Sequence, residues 1–294
     1  MKREEEKQAD LKPCVIVPGL GPVAKLGQGG WYLGDEKACE ESEIKALRTG
    51  IELGMTLIDT AEMYGSGSSE RLIGKVIRPY RREELTLVSK VYPHHAGRDQ
   101  IFHSCEASLK RLGTDYLDVY LLHWRGSIPL VETAACMEQL KKQGKIRAWG
   151  VSNFDTEDMK ELFSVPEGAK CALNQVLYHL GSRGIEYDLI PWHEHAGIPL
   201  MAYCPLAQAG TLRQGLLNNE AVRTLAAKYQ VSAVQILLAF VMRWRHIIAI
   251  PKAAAPQHVK ENARAASLAL ETADWRLLDE AFPPPRSKTY LDIV

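Results

Sequence analysis

Met55-Thr56-Leu57-Ile58-Asp59-Thr60-Ala61-Glu62-Met63-Tyr64-Gly65 begins as a short apolar run, turns polar at a carboxylate and reaches a phenol soon after. The design recurs along the chain. Leu87-Val88-Ser89 leads into Lys90, and Val119-Tyr120-Leu121-Leu122 leads into His123. Apolar runs this short suit parallel strands buried on both faces. A carboxylate, a phenol, an ammonium and an imidazole thus follow three successive strand-like segments, spaced about 30 residues apart.

Working outward, the same alternation predicts eight strands: Lys25–Gly29, Thr56–Asp59, Thr86–Lys90, Leu117–Leu122, Arg147–Val151, Ala172–Val176, Leu200–Tyr203 and Ile247–Ile250. Amphipathic stretches lie between them. Ile44, Leu47 and Ile51 share one helical face, with Gly54 as a stop. Ile101, Cys105, Leu109 and Leu112 repeat the pattern before Gly113. Pro129 reads as the first residue of a helix ending at Gly144, and Pro256 as the first residue of another. Asp155 is placed to cap a helix carrying Met159, Leu162 and Phe163. Ser232-Ala233-Val234-Gln235 has the form of a capping box.

Eight βα units without a composition break predict a closed (β/α)8 TIM barrel, with residues 1–294 as one domain. A doubly wound sheet would need a glycine fingerprint directly after a strand, and neither Gly27-Gln28-Gly29-Gly30 nor Gly65-Ser66-Gly67 supplies it. Val15-Ile16-Val17 and Pro22-Val23-Ala24-Lys25 flank Pro18-Gly19-Leu20-Gly21, which predicts an N-terminal β-hairpin closing the barrel bottom. Phe282-Pro283-Pro284-Pro285 breaks the pattern and leaves a short C-terminal tail.

The 36 basic and 36 acidic side chains cancel, so nothing favours nucleic acid or an anionic membrane as partner. No apolar run approaches the ~20 residues that span a bilayer. The charged start, residues 1–12, reads as a disordered tail without a secretory h-region, so a cytoplasmic setting is expected. Six widely spaced cysteines form no C-x-x-C pair and are expected as free thiols. His94-His95 and His193-x-His195 lack a completing carboxylate pair, and the second lies in a helical segment where i,i+2 side chains diverge; no metal is expected.

Barrel enzymes carry their sites at the C-terminal strand ends. Asp59, Lys90 and His123 fall at such ends, with Tyr64 in the loop above the second strand. A free phenol, pKa about 10, is a reluctant acid, and a nearby ammonium is expected to lower that value. A carboxylate beside the lysine keeps it charged, and a neutral imidazole orients a carbonyl oxygen. The set suits protonation of a developing alkoxide. It holds no reductant, so a hydride must come from a cofactor.

Asp59 to Gly65, Val88-Ser89-Lys90-Val91, Leu121-Leu122-His123, Gly150-Val151-Ser152-Asn153-Phe154, Asn174-Gln175-Val176 and Ile250-Pro251-Lys252 resemble, in order, the signatures of the aldo-keto reductase family. Ala202 to Gly210 and the short tail look most like bacterial members of the methylglyoxal-reductase type. The resemblance implies NADPH-dependent reduction of small aldehydes, ketones and dicarbonyls. It makes Tyr64 the general acid, assisted by Lys90 and Asp59, with His123 orienting the carbonyl. It assigns Ser152, Asn153 and Gln175 to the nicotinamide carboxamide and Tyr203 to the nicotinamide ring. The loop from Cys204 to Gly210, with Pro205, Leu206 and Gln208, passes over the pyrophosphate. Lys252 meets the adenosine 2′-phosphate, Glu261 and Asn262 contact the adenine, and Ile250 and His258 belong to the cofactor-binding set.

Ala253 and His258 stand where the family usually has serine and arginine. Alanine donates no hydrogen bond and neutral imidazole carries no charge. NADPH stays favoured through Lys252, NADH becomes a second expected reductant, and tighter cofactor binding is expected at low pH. Trp31, Trp124 and Tyr92-Pro93-His94-His95 are expected to line the substrate pocket, left open by a tail too short to cover it. A monomer is expected. A nicotinamide-binding sensor on the same fold, and a metal-assisted hydrolase using Asp59 and His123, are the competing functions.

Overall fold

The computed structural model describes residues 13–294, so the expected disordered tail at 1–12 lies outside the described residues. A hairpin comes first, β1 (Cys14–Val17) paired antiparallel with β2 (Gly21–Ala24). Eight parallel strands follow: β3 (Gln28–Gly29), β4 (Leu57–Asp59), β5 (Thr86–Val91), β6 (Leu117–Leu122), β7 (Ile146–Ser152), β8 (Asn174–Leu177), β9 (Leu200–Tyr203) and β10 (Ile247–Ala249). Each pairs with its neighbours in chain order.

The first expected strand proves shorter than expected, running from Gln28 to Gly29. Gln28 and Gly29 pair with Ile58 and Asp59 of β4. Just before them, the Gly27 amide donates to Ala249 O at 2.8 Å and the Ala249 amide to Lys25 O at 2.9 Å. These bonds join β10 to the start of the series and close the barrel. Gly27 and Gly29 permit the approach, since a Cβ on Gly29 would stand 2.9 Å from Ile250 O.

Strand periodicity sorts the side chains into two layers. Leu57, Val88, Val119, Leu121, Leu173, Met201 and Ile248 point inward and pack with Val15, Val17 and Val23 of the hairpin, which plugs the barrel floor. Ile58, Leu87, Tyr120, Leu122, Val151 and Ala249 point outward to the helices. Continuing the inward rows by two residues places Asp59, Lys90 and His123 inside the C-terminal mouth.

Helix Thr156–Ser164 starts at Asp155, whose carboxylate accepts from the Glu157 and Asp158 amides in a capping box. Ser232 and Gln235 form the expected box ahead of Ala233–Val241. Gly113, with φ 68°, ends Ile101–Leu112. Pro256 is the first residue of Pro256–Arg264. Pro129 differs from expectation: at φ −56° and ψ 135° it is extended and sits just outside Leu130–Lys142. Its carbonyl accepts from the Thr133 amide, so it caps the helix instead of opening it. Among the described residues no single helix is long and apolar enough to cross a membrane.

Candidate active site

Asp59 leaves the end of β4 and Lys90 sits near the end of β5, both buried. Lys90 Nζ donates to Asp59 Oδ2 at 2.8 Å, to Thr60 O at 2.8 Å and to the Tyr64 hydroxyl at 3.0 Å. Three acceptors thus use the three donors of one ammonium. Tyr64 lies in the short helical turn Tyr64–Gly67, which folds its ring back over the strand ends. Its ring meets His123 edge-on, with centroids 5.8 Å apart.

Burial dominates the electrostatics. It pushes the Tyr64 phenol well above its ordinary value, with Asp59 adding to the rise. This corrects the expectation that Lys90 pulls the phenol down: loss of solvation outweighs the nearby ammonium, and Tyr64 is held as the protonated phenol. Burial likewise lowers Lys90 and raises Asp59, each opposed mainly by the other's charge. Burial, with Lys90 behind it, drops His123 to about 2, so its imidazole stays neutral. His123 Nδ1 is buried without a partner.

Ser152, Asn153, Gln175 and Tyr203 come together beside this quartet. Ser152 Oγ donates to Gln175 O at 2.8 Å, and the Tyr203 hydroxyl donates to Asn153 Oδ1 at 2.8 Å. The Gln175 amide donates to Asp59 Oδ1 at 2.7 Å. Asn153 adopts φ 60°, a left-handed conformation that asparagine tolerates better than most residues. After β9 the chain turns sharply, with Cys204 at φ 48° and Ala207 at φ 57°.

Most of these groups border one cavity of about 420 Å³; Lys90, fully buried, is not on its wall. Its walls include Asp59, Tyr64, His123, Ser152, Asn153, Gln175, Tyr203, Pro205, Leu206, Gln208, Ile250 and Lys252, as the sequence leads one to expect. Trp31 lines it too, 6.4 Å from the Tyr64 ring. Trp124 is not among its walls; its ring packs tilted against His123, centroids 4.9 Å apart, and edge-on to Tyr92 at 6.0 Å. Gly210, His258, Glu261 and Asn262 also lie off the lining. His258 is exposed on helix Pro256–Arg264 and Asn262 is buried in it. Ala253 is half-buried at the loop before that helix.

Nothing in the sequence singles out Tyr32, Met63, Arg213 or Val294, yet each lines the cavity. Arg213 was the most findable, as the first basic residue past Gly210. Val294 shows that the short tail reaches the pocket wall. The tail lies against the barrel, with Lys288 3.2 Å from Asp188 and Asp292 hydrogen-bonded to Ser182. Elsewhere, His193 and His195 lie on helix Leu189–Ala196, His193 buried and His195 exposed. Among the described residues no three His, Cys, Asp or Glu side chains cluster as a metal cradle.

The cavity fits a dinucleotide in kind. Amide and hydroxyl groups sit near the phenol, an aromatic ring stands beside them, and Lys252 and Arg213 line the wall without an ion-pair partner among the described residues.

A parallel barrel with a tyrosine, lysine, aspartate and histidine converging at its mouth defines a class of barrel oxidoreductases, and the chain belongs to the aldo/keto reductase family, whose model matches residues 25–282. It is 55% identical over 269 residues to methylglyoxal reductase YeaE of Escherichia coli (strain K12), covering 92% of this chain and 94% of that protein. An aldo/keto reductase from Klebsiella pneumoniae, solved in complex with NADP and acetate, superposes with a TM-score of 0.94 at 51% identity, covering 97% of this chain and all of that one. The Klebsiella pneumoniae enzyme solved in complex with NADPH superposes equally well, with a TM-score of 0.94.

Proposed function

We infer that this protein is an NADPH-dependent carbonyl reductase acting on small aldehydes, ketones and dicarbonyls of the methylglyoxal kind. The observation that carries the reading is Lys90 Nζ, 3.0 Å from the Tyr64 hydroxyl and 2.8 Å from Asp59. NADPH, when bound, supplies the hydride. Tyr64 donates its proton to the carbonyl oxygen as the alkoxide develops. Lys90 stabilises the phenolate that remains, and Asp59 keeps Lys90 charged. His123, neutral at working pH, hydrogen-bonds the carbonyl oxygen and fixes its direction. Ser152, Asn153 and Gln175 would hold the cofactor's carboxamide, Tyr203 would pack on its ring, and Lys252 would meet the 2′-phosphate.

Residues 13–294 act as one barrel domain in this reading. We propose further that the enzyme is monomeric and cytoplasmic; its six cysteines are free thiols in the structure. Size-exclusion chromatography with light scattering tests the monomer.

The central test is NADPH oxidation, followed by absorbance, with methylglyoxal and para-nitrobenzaldehyde. A large loss of turnover in Tyr64→Phe is expected. NADPH binding without turnover on any aldehyde would instead favour a nicotinamide sensor. Loss of activity on adding a chelator would point to metal-assisted chemistry.

A further inference from the structure

One fully buried carboxylate stands outside the proposed proton path. Glu70 lies in the first turn of helix Ser68–Ile77 and is 0% exposed. Its Oε1 accepts from Ser89 Oγ at 2.6 Å and its Oε2 from Arg111 Nε at 2.5 Å. Arg111, on helix Ile101–Leu112, also donates to Ser108 Oγ at 3.1 Å. Taking a carboxylate wholly out of water is costly even when it is paired.

Both partners of Glu70 lead to the reacting groups. Ser89 directly precedes Lys90 on β5, and strand alternation turns it toward the helices where Lys90 faces the barrel mouth. Helix Ser68–Ile77 continues directly from the Tyr64–Gly67 turn. The Glu70–Ser89 bond therefore ties the element that carries Tyr64 to the strand that carries Lys90. Arg111 lies against the turn itself: a Cβ on Gly67 would stand 2.5 Å from Arg111 Cδ. Ser69 makes a second tie, accepting from Thr60 Oγ1 at 2.9 Å and donating to Gly30 O at 2.9 Å. The carbonyl of that same Thr60 accepts from Lys90 Nζ.

Charge points the same way. Burial lowers Lys90, and the Glu70 charge joins that of Asp59 in opposing the fall. Tyr64 and His123 are the other titratable groups about Lys90, and Tyr203 and Cys204 bear on Tyr64. Around Glu70 stand Arg111, Tyr120 and Cys105, the last two also within the field of Glu62. Burial raises the phenols of Tyr64, Tyr120 and Tyr203, and pushes the thiols up to about 12 at Cys105 and about 11 at Cys204. His123 is already neutral. Lys90, lowered from 10.5, is thus the member of this set that changes charge first as pH rises.

We propose that Glu70 is a positioning residue for the reduction: it holds the Tyr64 turn against β5 and stands as a second negative charge behind Lys90, beyond Asp59. The proposal rests on the carbonyl-reductase function above.

Wild type, Glu70→Gln and Ser89→Ala are compared with methylglyoxal at saturating NADPH across neutral and alkaline pH. Glu70→Gln keeps the size of the side chain and removes its charge. Its kcat/KM is expected to fall by about 10- to 100-fold, the scale of a small misplacement relayed from outside the site. NADPH affinity, read by fluorescence quenching, should stay near wild type. The alkaline limb of its profile should move to lower pH, because Lys90 loses a charge that keeps it protonated. Ser89→Ala keeps the carboxylate and should lower kcat/KM without moving that limb. A folded Glu70→Gln protein with wild-type kcat/KM and an unmoved limb overturns the proposal. So does a loss of stability in urea with the limb unmoved, which would leave Glu70 a purely structural part. Should Glu70→Gln fail to fold, Glu70→Gln combined with Arg111→Gln removes both charges of the pair and carries the same expectations. Wild type without turnover on any aldehyde overturns the carbonyl-reductase reading itself, a result distinct from an unmoved limb, and the role of Glu70 falls with it.

Discussion

Gln175 on β8 donates its side-chain amide to Asp59 Oδ1 on β4 at 2.7 Å, across the width of the barrel. Lys90 takes the other carboxylate oxygen at 2.8 Å. Asp59 is therefore held from both sides, and Gln175 supports the proposed catalytic pair as well as bordering the proposed cofactor site. Gln175→Leu leaves a buried carboxylate oxygen without its donor. We expect a stability loss of about 1–3 kcal/mol, read by urea unfolding, together with weaker NADPH binding.

Tyr64→Phe removes the only atom proposed to donate the proton and leaves the ring in place. A fall in kcat/KM of about 10²- to 10⁴-fold is expected, the usual worth of a positioned general acid. NADPH affinity, measured by quenching of protein fluorescence, should hardly change. Wild-type rates from this variant would rule Tyr64 out as the acid.

Lys90→Met strips the cation from a fully buried pair, since Lys90 is 0% exposed and Asp59 2%. An uncompensated buried charge costs about 3–5 kcal/mol, and denaturant unfolding should register it. Lys90→Met combined with Asp59→Leu removes both charges. It should be more stable than Lys90→Met alone while remaining inactive.

Acid stability should follow the buried histidines. Burial lowers His123 to about 2, His193 to about 3 and His179 to about 4, all below the unfolded value of 6.5. Between those values and 6.5 the unfolded chain binds more protons than the folded one. Stability therefore falls as pH drops below about 6.5, by up to about 1.4 kcal/mol per pH unit for each histidine. The loss attributable to each histidine levels off once pH passes below its folded value. Denaturant midpoints measured from neutral pH downward check the sign. The kcat for reduction should meanwhile show no ionisation of His123 near neutrality.

Lys252→Met should weaken NADPH by about 10- to 100-fold, as expected for a lost charge-assisted contact, and leave NADH nearly unaffected. Ala253→Ser should move selectivity the other way by restoring a donor. Parallel kcat/KM values with both cofactors measure each. An equal loss with NADH would place Lys252 away from the 2′-phosphate.

The barrel was legible because short apolar runs and glycine or proline stops are local signals, and eight of them in series leave few ways to bury both faces of each strand. The quartet was legible because each member ends or follows such a run, and strand periodicity sends Asp59, Lys90 and His123 to one side. The shortened β3 was not, since pairing is a property of two segments. Pro129 shows the same limit on a smaller scale: a proline fits either just inside or just before a helix, and the local backbone decides.

Sequence alone thus determined the order of βα units, the identities of Asp59, Tyr64, Lys90 and His123, and the family pattern that goes with them. Tertiary structure alone decided which groups touch across the barrel, that burial holds Tyr64 protonated, that Trp124 packs against His123 and lies off the cavity wall, and that Tyr32, Arg213 and Val294 line that wall. The physical reason is range. Strand and helix periodicity act over a few residues, whereas burial, charge coupling and cavity shape depend on segments more than a hundred residues apart, as Gln175 and Asp59 are.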